Sequence, residues 1–169
     1  DPDGDVQKFN NGNWSAVSTV DDSWELYNGI RCVSEFLESI EKIDFSKYYY
    51  DSKYERQMEH VKTFPYQARV LRAFYLFELA RRYGDIPVPM KMLSIEEANT
   101  IAKTPFDQVI DFIVAECDEC APNLPTTYIG MLDDEYGRAT KGFAMAVKTK
   151  ALLYAASKLH NPEMDPEKW

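Results

Sequence analysis

One helical run constrains the fold of this chain more than any other feature. It reads ARVLRAFYLFELARRYGDIPVP and extends from Ala68 to Pro89. Apolar side chains occur on nearly every side of a helix drawn through it, and such a helix is buried between neighbours. Gly84 suits a left-handed helix end, and the two prolines after it prevent helix continuation. The run therefore predicts a central helix that ends at Tyr83 and packs against other helices.

The charged residues of this run predict contacts with those neighbours. Burying an unpaired charge is costly, so each arginine needs a carboxylate partner. Glu78 lies three and four residues before Arg81 and Arg82, which is the spacing of local ion pairs on a helix. We expect the remaining pair, Arg69 and Arg72, to reach acids on a neighbouring helix.

Apolar periodicity and start signals predict further helices around this run. They cover about 22–40, a segment from about 53 to 83, a short turn at 95–101, and segments at 105–121 and 139–159. Pro65 predicts a kink or a restart near Phe64. The chain is therefore expected to be all-α, with two main helix pairs at about 22–83 and 105–159. Small residues at the helix crossings favour a helical-repeat solenoid.

Four pairs of residues resemble helix starts, because a capping side chain precedes an acid by three positions. In the last pair, Pro105 would occupy the first helical position, where its missing N–H costs nothing. The four pairs are Asp22 with Glu25, Ser52 with Glu55, Ser94 with Glu97, and Thr104 with Asp107.

Composition argues against several classes of function. The 28 acidic residues outnumber the 19 basic ones, for a net charge of -9, so no basic surface is available for nucleic acid. No apolar run reaches the length of about 18 residues that spans a membrane. The two histidines, His60 and His160, form no HExxH motif, and no phosphate-cradling glycine loop occurs. We predict no catalytic residue and no cofactor.

The three cysteines are predicted to be buried thiols rather than disulfide partners. Cys117 and Cys120 form one C-x-x-C pair, but a zinc site takes about four ligands and nothing nearby completes it. We therefore expect the cysteines, including Cys32, to pack as small apolar side chains, with no metal bound.

Several blocks of the chain resemble the SusD/RagB family. These are the run from Ala68 to Pro89, then TPFDQVIDFIVAECDECAPNLP, then YGRATKGFAMAVKTKALLYAASKLHNPEMDPEKW. FNNGNWSAVSTVDDSWELYNGIR is also similar to that family's segment before its first repeat helix. The resemblance implies tetratricopeptide-like helix pairs in a right-handed solenoid. It also implies that residues 1–169 are the N-terminal helical region of a longer protein, whose C-terminal half is absent here.

The resemblance carries an expected function. Such a protein is a noncatalytic lipoprotein on the extracellular face of the outer membrane of Bacteroidetes-type bacteria. It binds an oligosaccharide or other nutrient and delivers it to a SusC-type TonB-dependent transporter, and this segment is mainly the helical platform. A lipid anchor upstream of this chain would hold it at the membrane. The alternative is an intracellular tetratricopeptide scaffold that binds a peptide in its groove.

Candidate ligand residues lie near the start of the chain. Sugar recognition uses flat aromatic faces with convergent amides or carboxylates. Trp14 beside Asn10 forms such a cluster, and the resemblance places the segment from Asp3 to Trp14 near part of the family's ligand site. A core anchor is the alternative role for Trp14. A second aromatic group, at residues 48–50, could contact ligand or simply cover the protein.

The resemblance implies a scaffold role, rather than a catalytic one, for a further set of residues. They would hold the helix pairs together as the family's structural signature. The set comprises Arg69, Arg72, Glu78, Tyr83, Gly84, Gly137 and Arg138.

Overall fold

The structure is a computed structural model that describes residues 7, 10–12, 14–15, 19–129 and 136–166. The chain is helical through most of these ranges and contains no β-strand there, which confirms the all-α prediction. Two short 3-10 turns, at Ser46–Tyr48 and Ala121–Asn123, lie between the α-helices. The helices are α1 (Leu26–Ile40), α2 (Tyr54–Val61), α3 (Phe64–Tyr83), α4 (Ile95–Thr100), α5 (Phe106–Cys120) and α6 (Lys141–Ala156).

Helix α3 is the centre of the fold. It packs against α1 and α5 and also contacts α6, and α5 packs against α6 in turn. The side chains of Leu76, Phe77 and Leu79 point in different directions around α3, and each is at most 1% exposed. They share one core with Ile30 of α1 and Ile113 of α5. The prediction of a helix buried on several sides is confirmed, while the right-handed solenoid stays a prediction.

The two ends of α3 follow the proline and glycine signals. Helix α2 ends at Val61 and α3 begins at Phe64, with Pro65 in the first turn of α3, where no N–H is needed. The predicted restart is therefore confirmed. At the other end, Gly84 has φ 69° and ψ -108°, a conformation that strains any residue with a Cβ. The helix accordingly ends at Tyr83, as predicted.

The helix starts show which capping signals the backbone can use. Ser94 has an extended backbone (φ -68°, ψ 166°) and forms the predicted capping box with Glu97. Thr140 is also extended, and its hydroxyl accepts a hydrogen bond from the N–H of Phe143 at the start of α6. A side chain can cap a helix only where the residue itself lies outside the helical region.

The other three predicted caps, Asp22, Ser52 and Thr104, are wrong. Helix α1 begins at Leu26 rather than at residue 22, because Asp21 and Ser23 have positive φ values of 57° and 53°, which a right-handed helix excludes. The carbonyls of residues 23–25 accept the first N–H groups instead. Thr104 is unavailable because its backbone pairs with another segment. The N-cap residues of these three helices are Glu25 for α1, Lys53 for α2 and Pro105 for α5. None of the three side chains caps its helix.

The connection between α3 and α5 is closed at its base. Ile86 and Thr104 form an antiparallel bridge, with N···O distances of 3.2 and 2.8 Å. Asp85 accepts a hydrogen bond of 2.9 Å from the N–H of Phe106 at the start of α5. The connection also contacts α1, because the hydroxyl of Tyr27 donates to the carbonyl of Pro87 at 2.9 Å.

The burial of each cysteine depends on the helix face on which it lies. Cys117 and Cys120 are buried on α5, and burial raises the pKa of their thiols to about 12 and about 11. They are therefore protonated at neutral pH and pack as predicted. Cys32 is exposed, so its predicted burial is wrong. It lies on α1 between Ile30 and Val33, which point to the core, and faces away from them.

Candidate functional site

The ligand residues expected near the start of the chain are partly described. Asn10 is exposed, and the Trp14 side chain is 59% exposed. Asp3 lies outside the described residues. The Trp14 ring lies outside the apolar core of the described residues. The assignment of these three residues to a ligand site stays a prediction.

The second aromatic group also lies at the surface. Tyr48, Tyr49 and Tyr50 stand in the connection between α1 and α2, and their exposures are 55%, 56% and 82%. Tyrosine is usually intermediate in burial, so three consecutive exposed rings are unusual. The core of the described structure does not need them.

A charged cluster joins α3 to α5. Arg69 contacts two acids: its Nη2 lies 2.6 Å from Glu116 and 2.6 Å from Glu119. Arg72 Nη2 lies 3.2 Å from the second carboxylate oxygen of Glu116. The predicted contact of both arginines with acids on a neighbouring helix is confirmed. Glu116 is the shared partner, since it receives both guanidinium groups.

The electrostatics of this cluster fix its charges. The hydrogen bonds that Arg69 donates to Glu119 and Glu116 raise the pKa of Arg69, and Arg69 in turn lowers the pKa of Glu119. The Arg72 side chain is 4% exposed, and its guanidinium lies 5.9 Å from the centre of the Phe112 ring. Because these groups are committed to one another, the cluster is suited to holding helices rather than to binding a ligand.

A second charged cluster stands at the C-terminal end of α3. Glu78 lies 2.6 Å from Arg81 and 2.8 Å from Arg82, at the spacings that the sequence predicts. Arg82 also reaches Asp21, before α1, at 2.6 Å, and this contact lowers the pKa of Asp21. The cluster therefore ties the end of α3 to the segment that leads into α1.

Aromatic contacts support the same corner. The hydroxyl of Tyr83 donates to the backbone carbonyl of Asp22. The ring of Trp24 stacks on Tyr83, with centres 4.1 Å apart and planes 20° apart. Tyr83, the last residue of α3, is thus held by two residues that precede α1.

The remaining signature residues lie before α6. Gly137 has φ 87°, a left-handed value that favours glycine. Arg138 places its guanidinium 4.9 Å from the centre of the Phe64 ring and donates to Gln67 at 3.4 Å. This pair brings the segment before α6 against the first turn of α3. A scaffold role for the whole signature set remains our interpretation of these contacts.

The histidines occupy packed positions. His60 is 5% exposed and meets Phe64 and Tyr128 edge-on. His160 stacks on Phe106, with ring centres 3.7 Å apart.

The described residues contain no group of three or more potential metal ligands. No helix in the described part of the chain combines the length and apolar character that a membrane crossing requires.

Two grooves open beside α1. One of about 330 Å³ lies between α1 and the connection to α5, where Tyr27, Arg31 and Pro89 line it. The other, of about 740 Å³, lies between the end of α1 and the start of α3 and includes Tyr66 and Arg69. Neither groove is lined by Trp14 or by the tyrosines at 48–50.

Sequence reasoning missed three residues that organise the structure. Glu116 carries no local signal, because its partners are 44 and 47 residues away. Asp85 follows the glycine at the end of α3, a position that usually indicates only a turn. Gly29 lies inside α1, where glycine costs helix stability, and this cost could have indicated a close helix contact.

The fold is shared with solved bacterial structures, whereas no family model and no curated protein sequence matches the chain. A SusD-like protein from Bacteroides fragilis is 28% identical, with a TM-score of 0.68 over 95% of this chain. A SusD-like carbohydrate-binding protein from the same organism is 25% identical, with a TM-score of 0.67 over 90% of this chain. A laminarin-binding SusD-like protein, at 22% identity, has a TM-score of 0.71 over 95% of this chain and shows the fold alone.

The match covers a limited part of each solved structure. The chain spans 29%, 28% and 32% of the three proteins, in the order given. The similarity therefore concerns one helical region of proteins about three times as long.

Proposed function

The chain belongs to the SusD/RagB family, and on that premise we propose that it is the helical platform of a longer, noncatalytic protein that binds oligosaccharide at the cell surface. One observation carries the proposal. The fold matches that of a SusD-like carbohydrate-binding protein over 90% of this chain at 25% sequence identity. The platform would comprise residues 1–169, and further ligand contacts would come from the rest of the protein.

The proposed ligand contacts use the exposed side chains before α1. An indole face stacks on the C–H face of a sugar ring, and the Trp14 ring is 59% exposed. Asn10 is exposed and offers an amide that both donates to and accepts from hydroxyl groups. Asp3 would add a carboxylate. The net charge of -9 favours neutral sugars over polyanions.

The charged clusters give the platform its proposed role. Arg69, Arg72 and Glu116 join α3 to α5, and Arg82 with Asp21 joins α3 to the segment before α1. These ion pairs hold the helices in fixed relative positions. The entropic cost of ordering the protein when a ligand binds is therefore small. In the proposed mechanism the protein binds sugar without transforming it.

The setting of this function is also part of the proposal. The full-length protein would be anchored by lipid to the outer membrane of a Bacteroidetes-type cell, with its binding face outside. It would pass the bound oligosaccharide to a SusC-type TonB-dependent transporter. Support comes from the family, whose solved members here include proteins from Bacteroides fragilis.

Glycan binding by the full-length, lipid-free protein tests the proposal. We expect saturable binding to one class of oligosaccharide on an array, and at least tenfold weaker binding in a Trp14→Ala variant, about 1.4 kcal/mol. Trp24→Ala is a matched control. It removes a tryptophan that stacks on Tyr83, so it should lower thermal stability and leave glycan affinity unchanged.

The outcomes separate the parts of the proposal. Absence of binding to every glycan would refute the carbohydrate function. Binding that persists in Trp14→Ala would refute the assignment of ligand contacts to this segment and leave residues 1–169 as platform alone.

A further inference from the structure

Helix α6 carries apolar side chains on two opposite sides. On one side, Ala144, Val147 and Ala151 point into the fold and are buried. On the other side, exposed residues recur at helical spacing, and we call them the outer face of α6. A helix that is apolar on opposite sides packs between two neighbours. The outer face comprises Met145, Ala146, Thr149, Leu152 and Leu153.

The outer face contains no charged side chain. Met145 is 55% exposed and Leu153 is 65% exposed. The Thr149 hydroxyl donates to the carbonyl of Met145 at 2.8 Å, so its hydrogen is satisfied within the helix. Lys148 and Lys150 border the face in the sequence without interrupting it. Contiguous exposed aliphatic surface of this kind indicates a contact with another element.

The outer side of α5 shows the opposite composition. Its exposed positions are mostly acidic or polar, as expected for a helix side that faces water. The outer side of α5 therefore suits solvent, whereas the outer face of α6 suits a further apolar neighbour. The exposed positions of α5 are Asp107, Gln108, Asp111, Ala115, Asp118 and Glu119.

The position of the chain after α6 determines the direction of any helix that follows. The N–H of Lys141, at the start of α6, donates to the carbonyl of Pro125, shortly after the end of α5. Beyond the other end of α6, the ring of His160 stacks on Phe106 at the start of α5. Helices α5 and α6 are therefore antiparallel. A helix that starts after α6 and contacts it must likewise run back along α6.

The residues after His160 form a turn and carry a helix start signal. Asn161 is 2% exposed, and its side-chain amide donates to the carbonyl of Asp165 at 3.0 Å and accepts from the N–H of Asp165 at 2.9 Å. In the sequence, Asp165 is followed by Pro166 and Glu167. A capping residue, a proline at the first helical position and an acid in the first turn predict a helix that begins beside the end of α6.

We propose that the outer face of α6 is covered by a helix of the full-length protein that follows Trp169 and runs antiparallel to α6. Such a helix has ample chain to come from, because residues 1–169 match less than a third of each of two SusD-like proteins from Bacteroides fragilis. The inference rests on the proposed function only in requiring that this chain is part of a longer protein.

Thiol labelling of the full-length, lipid-free protein tests the proposal. Cys32→Ser removes the exposed native cysteine, and Leu153→Cys then places a thiol on the outer face of α6. N-ethylmaleimide is the probe. We expect this thiol to react at least about tenfold more slowly in the native protein than in denaturant, because a covered group reacts only after local opening.

Matched variants in the same Cys32→Ser background serve as controls. Asp111→Cys places a thiol on the outer side of α5 and should react at nearly the same rate in both states. Met145→Cys probes the outer face of α6 eight residues before Leu153 and should be protected as Leu153→Cys is. It keeps the test available if one variant fails to fold, which circular dichroism detects. Cys32→Ser alone gives the background from all other cysteines.

Three results would overturn the inference. The first is labelling at residues 145 and 153 within about twofold of the denatured rate. The second is equal protection of Asp111→Cys, which would leave α6 no different from α5. The third is protection that disappears on dilution, which would assign the outer face to a second copy of the chain. Labelling requires no glycan, so this inference and the proposed carbohydrate function fail separately.

Discussion

Helix α3 is held by two neighbours in two different ways. On the α5 side, Arg69 and Arg72 bind Glu116 through largely buried charges, with side-chain exposures of 20%, 4% and 10%. On the α1 side, the helices approach closely at Gly29, where a Cβ would lie 2.7 Å from the ring of Tyr75. One interface depends on paired charge, and the other depends on the absence of a side chain.

The difference teaches how each interface fails. A buried ion pair contributes little net stability against an apolar pair of the same volume, but loss of one partner leaves a charge without compensation. A close helix contact fails through added volume, because the neighbouring side chain must shift to make room for it. Truncation of a side chain should therefore destabilise the interface with α5 most. Addition of a side chain should destabilise the interface with α1.

The largest effect is expected from Glu116→Ala. This change leaves the buried Arg72 guanidinium without a carboxylate and Arg69 with Glu119 alone. We expect a loss of about 3–5 kcal/mol in the free energy of unfolding, measured by denaturant titration. An Arg72→Met/Glu116→Leu variant should recover most of it. A loss below about 1 kcal/mol in Glu116→Ala would contradict the charge-dependent view of this interface.

A smaller effect is expected from Gly29→Ala. The new methyl group would overlap the Tyr75 ring, and the overpacking should cost about 1–3 kcal/mol, less what alanine contributes to helix propensity. Gly142→Ala in α6 is the matched control, since its Cβ would meet only Thr140 Oγ1 at 3.7 Å. Thermal unfolding should show destabilisation for the first variant and no loss for the second. If Gly29→Ala stabilised the protein as much as Gly142→Ala does, the close contact between Gly29 and Tyr75 would be disproved.

The smallest effect is expected from Asp21→Asn, which tests the exposed charge before α1. Asp21 is 54% exposed and pairs with Arg82, so its removal should cost less than about 1 kcal/mol at pH 7. Asparagine tolerates the positive φ of 57° at this position.

This last difference should depend on pH. Arg82 lowers the pKa of Asp21 in the folded state, so the pair stabilises the protein above the ordinary aspartate pKa of about 3.9. That stability is lost as the pH falls through the lowered folded-state value. Melting temperatures of wild type and variant should therefore differ at pH 7 and converge as the pH falls below that folded-state value. A difference that persists in acid would contradict the electrostatic cause.

The sequence predicted those parts of the fold that local chemistry determines. Pro65 and Gly84 set the two ends of α3, and the apolar circumference of that helix predicted its central place. The starts of α1, α2 and α5 could not be predicted in the same way. At Thr104, for example, the backbone carbonyl that an N-cap residue would offer to the helix instead accepts from Ile86, 18 residues earlier, and the helix begins further on.

The candidate site was predictable only in part. Residue types pointed to the acid partners of Arg69 and Arg72 but not to their identity, because Glu116 becomes a neighbour only after α3 and α5 have packed. The exposure of Trp14 likewise depends on packing, since tryptophan before a helix is found both in cores and at surfaces. The tyrosines at 48–50 were visible as a group, yet their exposure required the fold.

The bridge between Ile86 and Thr104 makes the positions of α3 and α5 independent of the length of the connection between them. Its two hydrogen bonds fix where α3 ends and α5 begins, whatever the seventeen residues between them do. Doubling the length of a flexible loop costs only about 0.6 kcal/mol. The exposed end of α4, around Asn99 and Thr100, is therefore a place where relatives can diverge by insertion, and where a fluorescent or affinity tag can be introduced without moving the helix pair.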